Sequence, residues 1–380
     1  MTKLFRDYAA NLMASVVVSL FSLLLYKLVL IVFGKADLEL FSVIKRYQAF
    51  FIPIILLGYG VMLPKYIAQR KAGKKILYGS MITAVALWAV GLVLASVVDN
   101  TVFLALLFSF PAFLSGYFFS VSRGLEDYKK GIATMMLYLV ILPLLAFIGS
   151  SEIKNYIYIY FYISVIVLGF WWRYYSKDFS LIAKMVSIEL PIWTYLKRSW
   201  GRVPGDFCNQ GVLIIPVQLL LMNDERQMAA YLSLAIAIAV ACSIPIKPIS
   251  TILLTRLASV KVDSRKNMLS VCMYILISAV IGSIYYILSV LINRFYFNDL
   301  MFLDVLRSLT LFVCFNSLYI LIRSYIDALY DGPVLAYING AGLAISLIVG
   351  VSGASGSFTL GFTFGCICLL TILAIAYKKS

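Results

Sequence analysis

Apolar runs of about twenty residues alternate with short hinges along the whole chain, and a helix of that length crosses a hydrocarbon layer about 30 Å thick. The hinges are not equivalent. Lys65, Arg70, Lys71, Lys74 and Lys75 crowd one hinge, whereas the next, Val98–Asn100, has no basic residue. Arg123, Lys129 and Lys130 fill the hinge after that, while Gly34–Glu39 holds Lys35 alone. Lys and Arg beside span ends are retained on the cytoplasmic side, so their alternation marks a chain that crosses a membrane repeatedly. The pattern predicts an all-α polytopic membrane protein with both termini cytoplasmic.

Composition argues the same way. The chain is 63% hydrophobic and 13% charged, with a mean hydropathy of +0.97, whereas a soluble domain carries about 25% charge. A formal charge of +15 would suggest nucleic acid in a soluble protein. Here it is the excess of the cytoplasmic hinges facing anionic headgroups, and no nucleic-acid partner is expected. There is no His and no acidic cluster within the spans, so no metal site and no cofactor are implied. Cys208, Cys242, Cys272, Cys314, Cys366 and Cys368 lie in apolar segments and read as small fillers, not as a disulfide framework. Lys3 and Arg6 precede an apolar run from Ala9 that is too long for a signal peptide and reads as the first span.

Twelve spans are predicted, over 9–33, 42–64, 76–98, 101–121, 131–149, 156–175, 203–222, 228–252, 270–292, 303–322, 334–351 and 357–377. With the N-terminus inside, 23 of the 32 Lys and Arg fall in cytoplasmic segments and 4 in outer hinges. The remaining Lys27, Lys45, Arg46, Lys247 and Arg307 lie inside spans or at their rims. The longest polar stretch divides the chain into a six-helix bundle at 1–176, a cytoplasmic linker at 177–202 and a second six-helix bundle at 203–380. An amphipathic piece of the linker, Ser180–Leu190, is expected to lie in the membrane interface. Leu63-Pro64-Lys65 and Leu254-Thr255-Arg256 end the second and eighth spans, and Arg123 and Arg323 end the fourth and tenth. The halves therefore read as parallel repeats.

A charge at the bilayer centre costs at least about 2.5 kcal/mol, so embedded charges are the candidates for function. Lys247 lies between Pro245 and Pro248, and the bend they make can open a polar pocket. A snorkelling Lys is the alternative. Lys27, two turns below a span end, admits both readings. Lys45 and Arg46 sit about 100° apart on one helix, so one can face a cavity while the other anchors at the rim. Arg307 reads as a local partner of Asp304. In Arg202-Val203-Pro204-Gly205-Asp206-Phe207, Arg202 and Asp206 are spaced to pair across one turn. Asn209, Gln210 and Gln218 carry that polarity into the seventh span, as expected of a helix facing something wet. Tyr156, Tyr158, Tyr160, Tyr162, Trp171 and Trp172 read as an interface belt.

The segment Arg202-Val203-Pro204-Gly205-Asp206-Phe207 resembles the start of the seventh span in Wzx-type polysaccharide flippases of the multidrug/oligosaccharidyl-lipid/polysaccharide exporter superfamily. Ser233-Leu234-Ala235, Ile246-Lys247-Pro248-Ile249-Ser250, Asn11 and Arg123-Gly124 are similar to other parts of that family. Thr255 departs from it, standing where a proline is expected. The resemblance implies two six-helix bundles around a central cavity. It also implies export of an undecaprenyl-pyrophosphate-linked oligosaccharide from the inner to the outer leaflet by alternating access, in a bacterial cytoplasmic membrane. The partners are then the lipid-linked oligosaccharide, the bilayer and a coupling ion, proton or sodium. The embedded basic residues suit a pyrophosphate anion. On this reading Lys247, Arg46, Lys27, Arg202, Asn209 and Gln210 bind substrate, Asp206 couples transport, and the chain is not an enzyme. A multidrug/cation antiporter of the same superfamily is the alternative, and a membrane polysaccharide polymerase a more distant one.

The topology makes a direct prediction. Reporter fusions after Lys75, Lys130 and Arg202 should signal cytoplasm, and fusions after Asn100 and Asn155 the opposite side. An outside signal at Arg202 would overturn the twelve-span order.

Overall fold

Within lipid a backbone N–H or C=O has no water to bond, so each apolar run satisfies its own backbone by forming a helix. The computed structural model describes residues 2–186, 189–243, 246, 265–329 and 334–351, and every regular element among them is helical. They divide into two units, Met1–Val203 and Pro204–Ser380. The first holds α1 (Thr2–Val32), α2 (Lys35–Leu56), α3 (Tyr59–Ala68), α4 (Lys74–Val98), α5 (Asn100–Gly124), α6 (Tyr128–Met136), α7 (Leu142–Ile148), α8 (Ile153–Met185) and α9 (Ile192–Trp200). The helix α10 (Val203–Met222) opens the second, followed by α11 (Arg226–Ala241), α12 (Arg265–Tyr296), α13 (Leu300–Ser308), α14 (Thr310–Leu329) and α15 (Val334–Val351).

Among the described residues, eight helical stretches are long and apolar enough to cross a membrane, and the bent pair α2–α3 makes a ninth. The eighth and eleventh predicted spans correspond to the shorter apolar helices Arg226–Ala241 and Ala336–Ile348. The twelfth, at 357–377, lies outside the described residues. The structure differs from the sequence reading within the spans. Three of those read as single helices are interrupted, and a proline stands directly at one of the breaks, that in the fifth span.

The second span breaks at Leu57 and Gly58, which adopt φ of 46° and 70°, and its halves meet at 41°. A Cβ on Gly58 would lie 2.9 Å from the Ser199 carbonyl oxygen, so this left-handed position also needs a glycine for space. Pro64 follows within α3. Lacking an N–H, it cannot bond the Gly60 carbonyl one turn earlier. The Arg123 guanidinium supplies the missing donor, 2.9 Å from that oxygen. Its neighbour Gly124 lets α5 approach, since a Cβ there would lie 2.6 Å from Ile67 Cβ.

The fifth span repeats this logic. Pro143 follows one wide turn, Leu137–Ile141, between α6 and α7. A proline at that point leaves carbonyls of the preceding turn without their donors. Tyr160 of α8 donates to the Tyr138 carbonyl at 2.6 Å. In α5, which contains Pro111, Gln48 Nε2 donates to the Phe108 carbonyl and Trp88 Nε1 to the Leu106 carbonyl, both at 2.8 Å, on either side of the Leu107 carbonyl that the proline frees. In the second unit, the tenth span is split at Ser308–Leu309, and Tyr285 of α12 donates to the Leu306 carbonyl at 2.9 Å.

The 177–202 segment also differs from its sequence reading. Residues up to Met185 continue α8, because nothing before Val186 breaks the helix, and Ile182 is buried. The amphipathic helix is α9, directly after Pro191, whose ring suits a helix start. It buries one face against the broken second span. Tyr195 stacks on Tyr59 at 5.7 Å and meets Tyr66 edge-on at 5.8 Å. Arg198 donates to the Tyr66 hydroxyl at 2.9 Å. Trp193 and Trp200 point away and are exposed.

If Arg123 stands in for the N–H that Pro64 lacks, the two residues are coupled. Arg123→Ala should destabilise the protein by roughly 1.5–3 kcal/mol, the range for a hydrogen bond to a charged group. In a Pro64→Ala background, where residue 64 regains its N–H, the same change should cost clearly less. Thermal unfolding of the four variants in detergent measures this coupling. Equal costs in both backgrounds would remove the proline-rescue explanation.

Candidate functional site

Among the described residues, polar side chains gather at two places in the second unit and at one in the first. In the second unit the first cluster begins at the α10 N-terminus, where Pro204 stands in the first turn and Asp206 lies near the positive end of the helix dipole. Asp206 forms an ion pair with Arg323 of α14. Both side chains are largely buried, at 14% and 19% exposure. The Arg323 guanidinium lies 5.9 Å from the centre of the Tyr319 ring, one turn back on α14. The Tyr319 hydroxyl faces both ends of the Asn339 amide, 2.8 Å from Nδ2 and 3.1 Å from Oδ1. Asn339 of α15 also donates to the Gly205 carbonyl at 2.8 Å. Three helices are thus tied by one network of Gly205, Asp206, Tyr319, Arg323 and Asn339.

A second network lies between α11 and α14. Asn316 Nδ2 donates to Ser243 Oγ at 2.9 Å, and Ser243 Oγ lies 3.3 Å from Ser317 Oγ. It is neutral, buried and without an acid or base, which suits a structural tie between helices.

In the first unit, Lys45 and Arg46 stand side by side on α2. Arg46 is buried. Lys45 Nζ lies 4.8 Å from the centre of the Phe108 ring and 5.8 Å from that of Phe41. An ammonium between two aromatic faces is held electrostatically at low dielectric. Neither side chain is exposed. Phe41 lies one turn before Lys45 on the same face of α2.

The other sequence candidates fall as follows. Lys27 is half-buried on α1. Arg202 is buried, with its Cβ against the broken span at Gly58. The ion pair seen for Asp206 reaches Arg323, 117 residues away, and not the neighbour one turn back that the spacing suggested. Asn209 and Gln210 are half-buried on α10, and neither side chain makes a hydrogen bond to another described residue. Lys247 lies outside the described residues. Arg307 stacks over Tyr286 at 5.3 Å, and the expected pair with Asp304 does not form, since both residues are exposed there and an exposed pair gains little. Tyr319 and Asn339 were missed altogether. Their only sequence signal is polarity inside apolar runs, which many interfacial residues share.

No protein-family model matches the chain, and no curated protein matches it in sequence. Solved structures do match. A MATE transporter in its straight conformation is 13% identical, with a TM-score of 0.68 over 99% of this chain and 96% of that one. An outward-facing multidrug resistance MATE family transporter of the MOP superfamily is 12% identical, with a TM-score of 0.69 over 99% and 93%. A mutant of the Vibrio cholerae MATE transporter VcmN is 15% identical, with a TM-score of 0.67 over 100% and 96%. The chain therefore has the fold of MATE transporters.

The Asp206–Arg323 pair can be tested by charge exchange. Asp206→Asn leaves a largely buried guanidinium without its counter-ion and should destabilise the protein by on the order of 3 kcal/mol. The exchange Asp206→Arg with Arg323→Asp should recover part of that loss in a thermal melt. Additive losses with no recovery would show that the two residues act separately.

Proposed function

We infer that the chain is a transporter of the MOP superfamily that exports a lipid-linked, anionic oligosaccharide across a bacterial cytoplasmic membrane. The MATE-type fold over essentially the whole chain supports the transporter class. The observation that carries the cargo is the sign of the buried charge. Lys45 and Arg46 bring two adjacent cations into the interior of the first unit, while the acid of α10, Asp206, is already matched by Arg323. A pyrophosphate-linked sugar is a concentrated anion, and fixed cations offset the cost of moving it through low dielectric. The half-buried amides of Asn209 and Gln210 suit the hydroxyl groups of a glycan. In this reading Arg46, Lys27, Arg202 and Lys247 meet the diphosphate, Asp206 responds to a proton or sodium ion, and both termini are cytoplasmic.

A second reading has its own support. The solved neighbours include a multidrug resistance transporter, and on likeness alone the multidrug antiporter is the better backed of the two. It calls for a carboxylate that exchanges between a coupling cation and a cationic drug. Asp206 would have to give up Arg323 in each cycle to serve.

Deletion of the gene separates the readings. The flippase reading expects surface polysaccharide to fall and lipid-linked oligosaccharide to accumulate in the inner leaflet, with unchanged sensitivity to cationic drugs. The antiporter reading expects a several-fold rise in drug sensitivity and normal surface polysaccharide. Within the flippase reading, Lys45→Ala with Arg46→Ala should lower export at least about tenfold at normal protein level. Lys45→Arg should retain most activity, since a point cation on phosphate can be exchanged for another.

A further inference from the structure

The helix α8 is longer than a membrane requires. Its 33 residues extend about 50 Å at 1.5 Å each, against a hydrocarbon layer of about 30 Å. With Ile153 at one rim, Arg173 lies about 30 Å along the axis and reaches the other. The aromatic residues Phe170, Trp171, Trp172 and Tyr174 flank that point, as at a membrane interface. Beyond it α8 continues through the headgroup layer. The first turn of the antiparallel α6 brings Lys130 to the same level.

Here the surface forms an open recess of about 450 Å³, lined by Lys130, Phe170, Arg173, Tyr174, Lys177 and Asp178. Its floor is built. Lys130 forms an ion pair with Asp178 and has only 10% of its side chain exposed. It donates to the Tyr174 carbonyl at 3.1 Å, and its ammonium lies 4.1 Å and 4.3 Å from the centres of the Tyr174 and Tyr175 rings. The pair neutralises the one carboxylate of the recess and fixes the spacing between α6 and α8. Arg173 and Lys177 stand one turn apart on the rim, exposed, and neither forms an ion pair among the described residues. Phe170, at 73% exposure, and Tyr174, at 50%, supply an apolar wall beside them.

We propose that this recess holds the headgroup of an anionic phospholipid of the leaflet that the Lys and Arg asymmetry makes cytoplasmic, with its phosphate between Arg173 and Lys177 and its first acyl segments against Phe170 and Tyr174. Three observations converge on that ligand. The free charges are two cations, which call for an anion. They stand at headgroup depth, where phosphate is concentrated and anionic lipid is favoured by basic residues. The aromatic wall faces outward beside them, where it can meet acyl chains but has no use for a small soluble anion. The bound lipid would clamp α6 to α8 and so stiffen the outer side of the first unit. The site is independent of what the protein exports.

Native mass spectrometry of the full chain in neutral detergent tests the site, with phosphatidylglycerol, phosphatidylcholine and glycerol 3-phosphate as probes. The tightest phosphatidylglycerol adduct should bind at least about tenfold better than phosphatidylcholine. The double substitution Arg173→Gln and Lys177→Gln, on exposed positions that leave the Lys130–Asp178 pair intact, should remove that preference. The exposed basic pair at another hinge, changed as Lys74→Gln and Lys75→Gln, should leave it unaltered, and millimolar glycerol 3-phosphate should not displace the lipid. Unchanged binding by the Arg173/Lys177 variant overturns the proposal. Equal losses in the Lys74/Lys75 variant overturn it too, as nonspecific charge attraction. Displacement by glycerol 3-phosphate makes the ligand a soluble phosphate and overturns the lipid assignment.

Discussion

The first unit depends on one demand of the lipid environment: a carbonyl released by a proline must find another donor. Pro64 withdraws its N–H from Gly60, and the Arg123 guanidinium replaces it. Pro143 stands beside the widened turn, and the Tyr160 hydroxyl bonds the freed Tyr138 carbonyl. In each case the donor comes from a different helix. The proline that weakens one span therefore ties it to a neighbour, because an unmet carbonyl in hydrocarbon costs several kcal/mol. The bend at Gly58 is made permanent in this way, and it creates the surface on which α9 packs through Tyr195 and Arg198.

Electrostatics follows the same rule in the second unit. Asp206 and Arg323 are each costly alone in a buried setting and tolerable together. Tyr319 and Asn339 extend the pair into a network that spans α10, α14 and α15. In the first unit the Lys45 ammonium lies against the Phe108 and Phe41 rings instead.

The apolar runs and the alternation of Lys and Arg were enough to place the centre of each described span, although α1, α2, α8 and α14 run well past the predicted bounds and α9 was not foreseen as a helix. Hydropathy could do this because partition between lipid and water is a local sum over one segment. The Arg202–Asp206 segment was also visible as unusual. Its partner was not, because spacing along one helix suggests only i,i+3 and i,i+4 neighbours. The breaks inside spans were half-visible. Pro64 and Pro143 stand in the sequence, but the turn at Leu57 and Gly58 precedes Pro64 by more than one turn of helix and has no proline of its own.

What the sequence determined by itself is therefore the class of molecule, a helical chain that crosses a membrane many times, together with the positions of its proline interruptions. Only the tertiary structure decided which donor answers each freed carbonyl and which base answers Asp206. The physical reason is distance along the chain. Arg123 lies 63 residues from Gly60, Arg323 lies 117 from Asp206, and Asn339 lies 134 from Gly205. Such pairs are selected by how helices pack, and packing among equally apolar surfaces is set by shape and by the few polar groups that must meet.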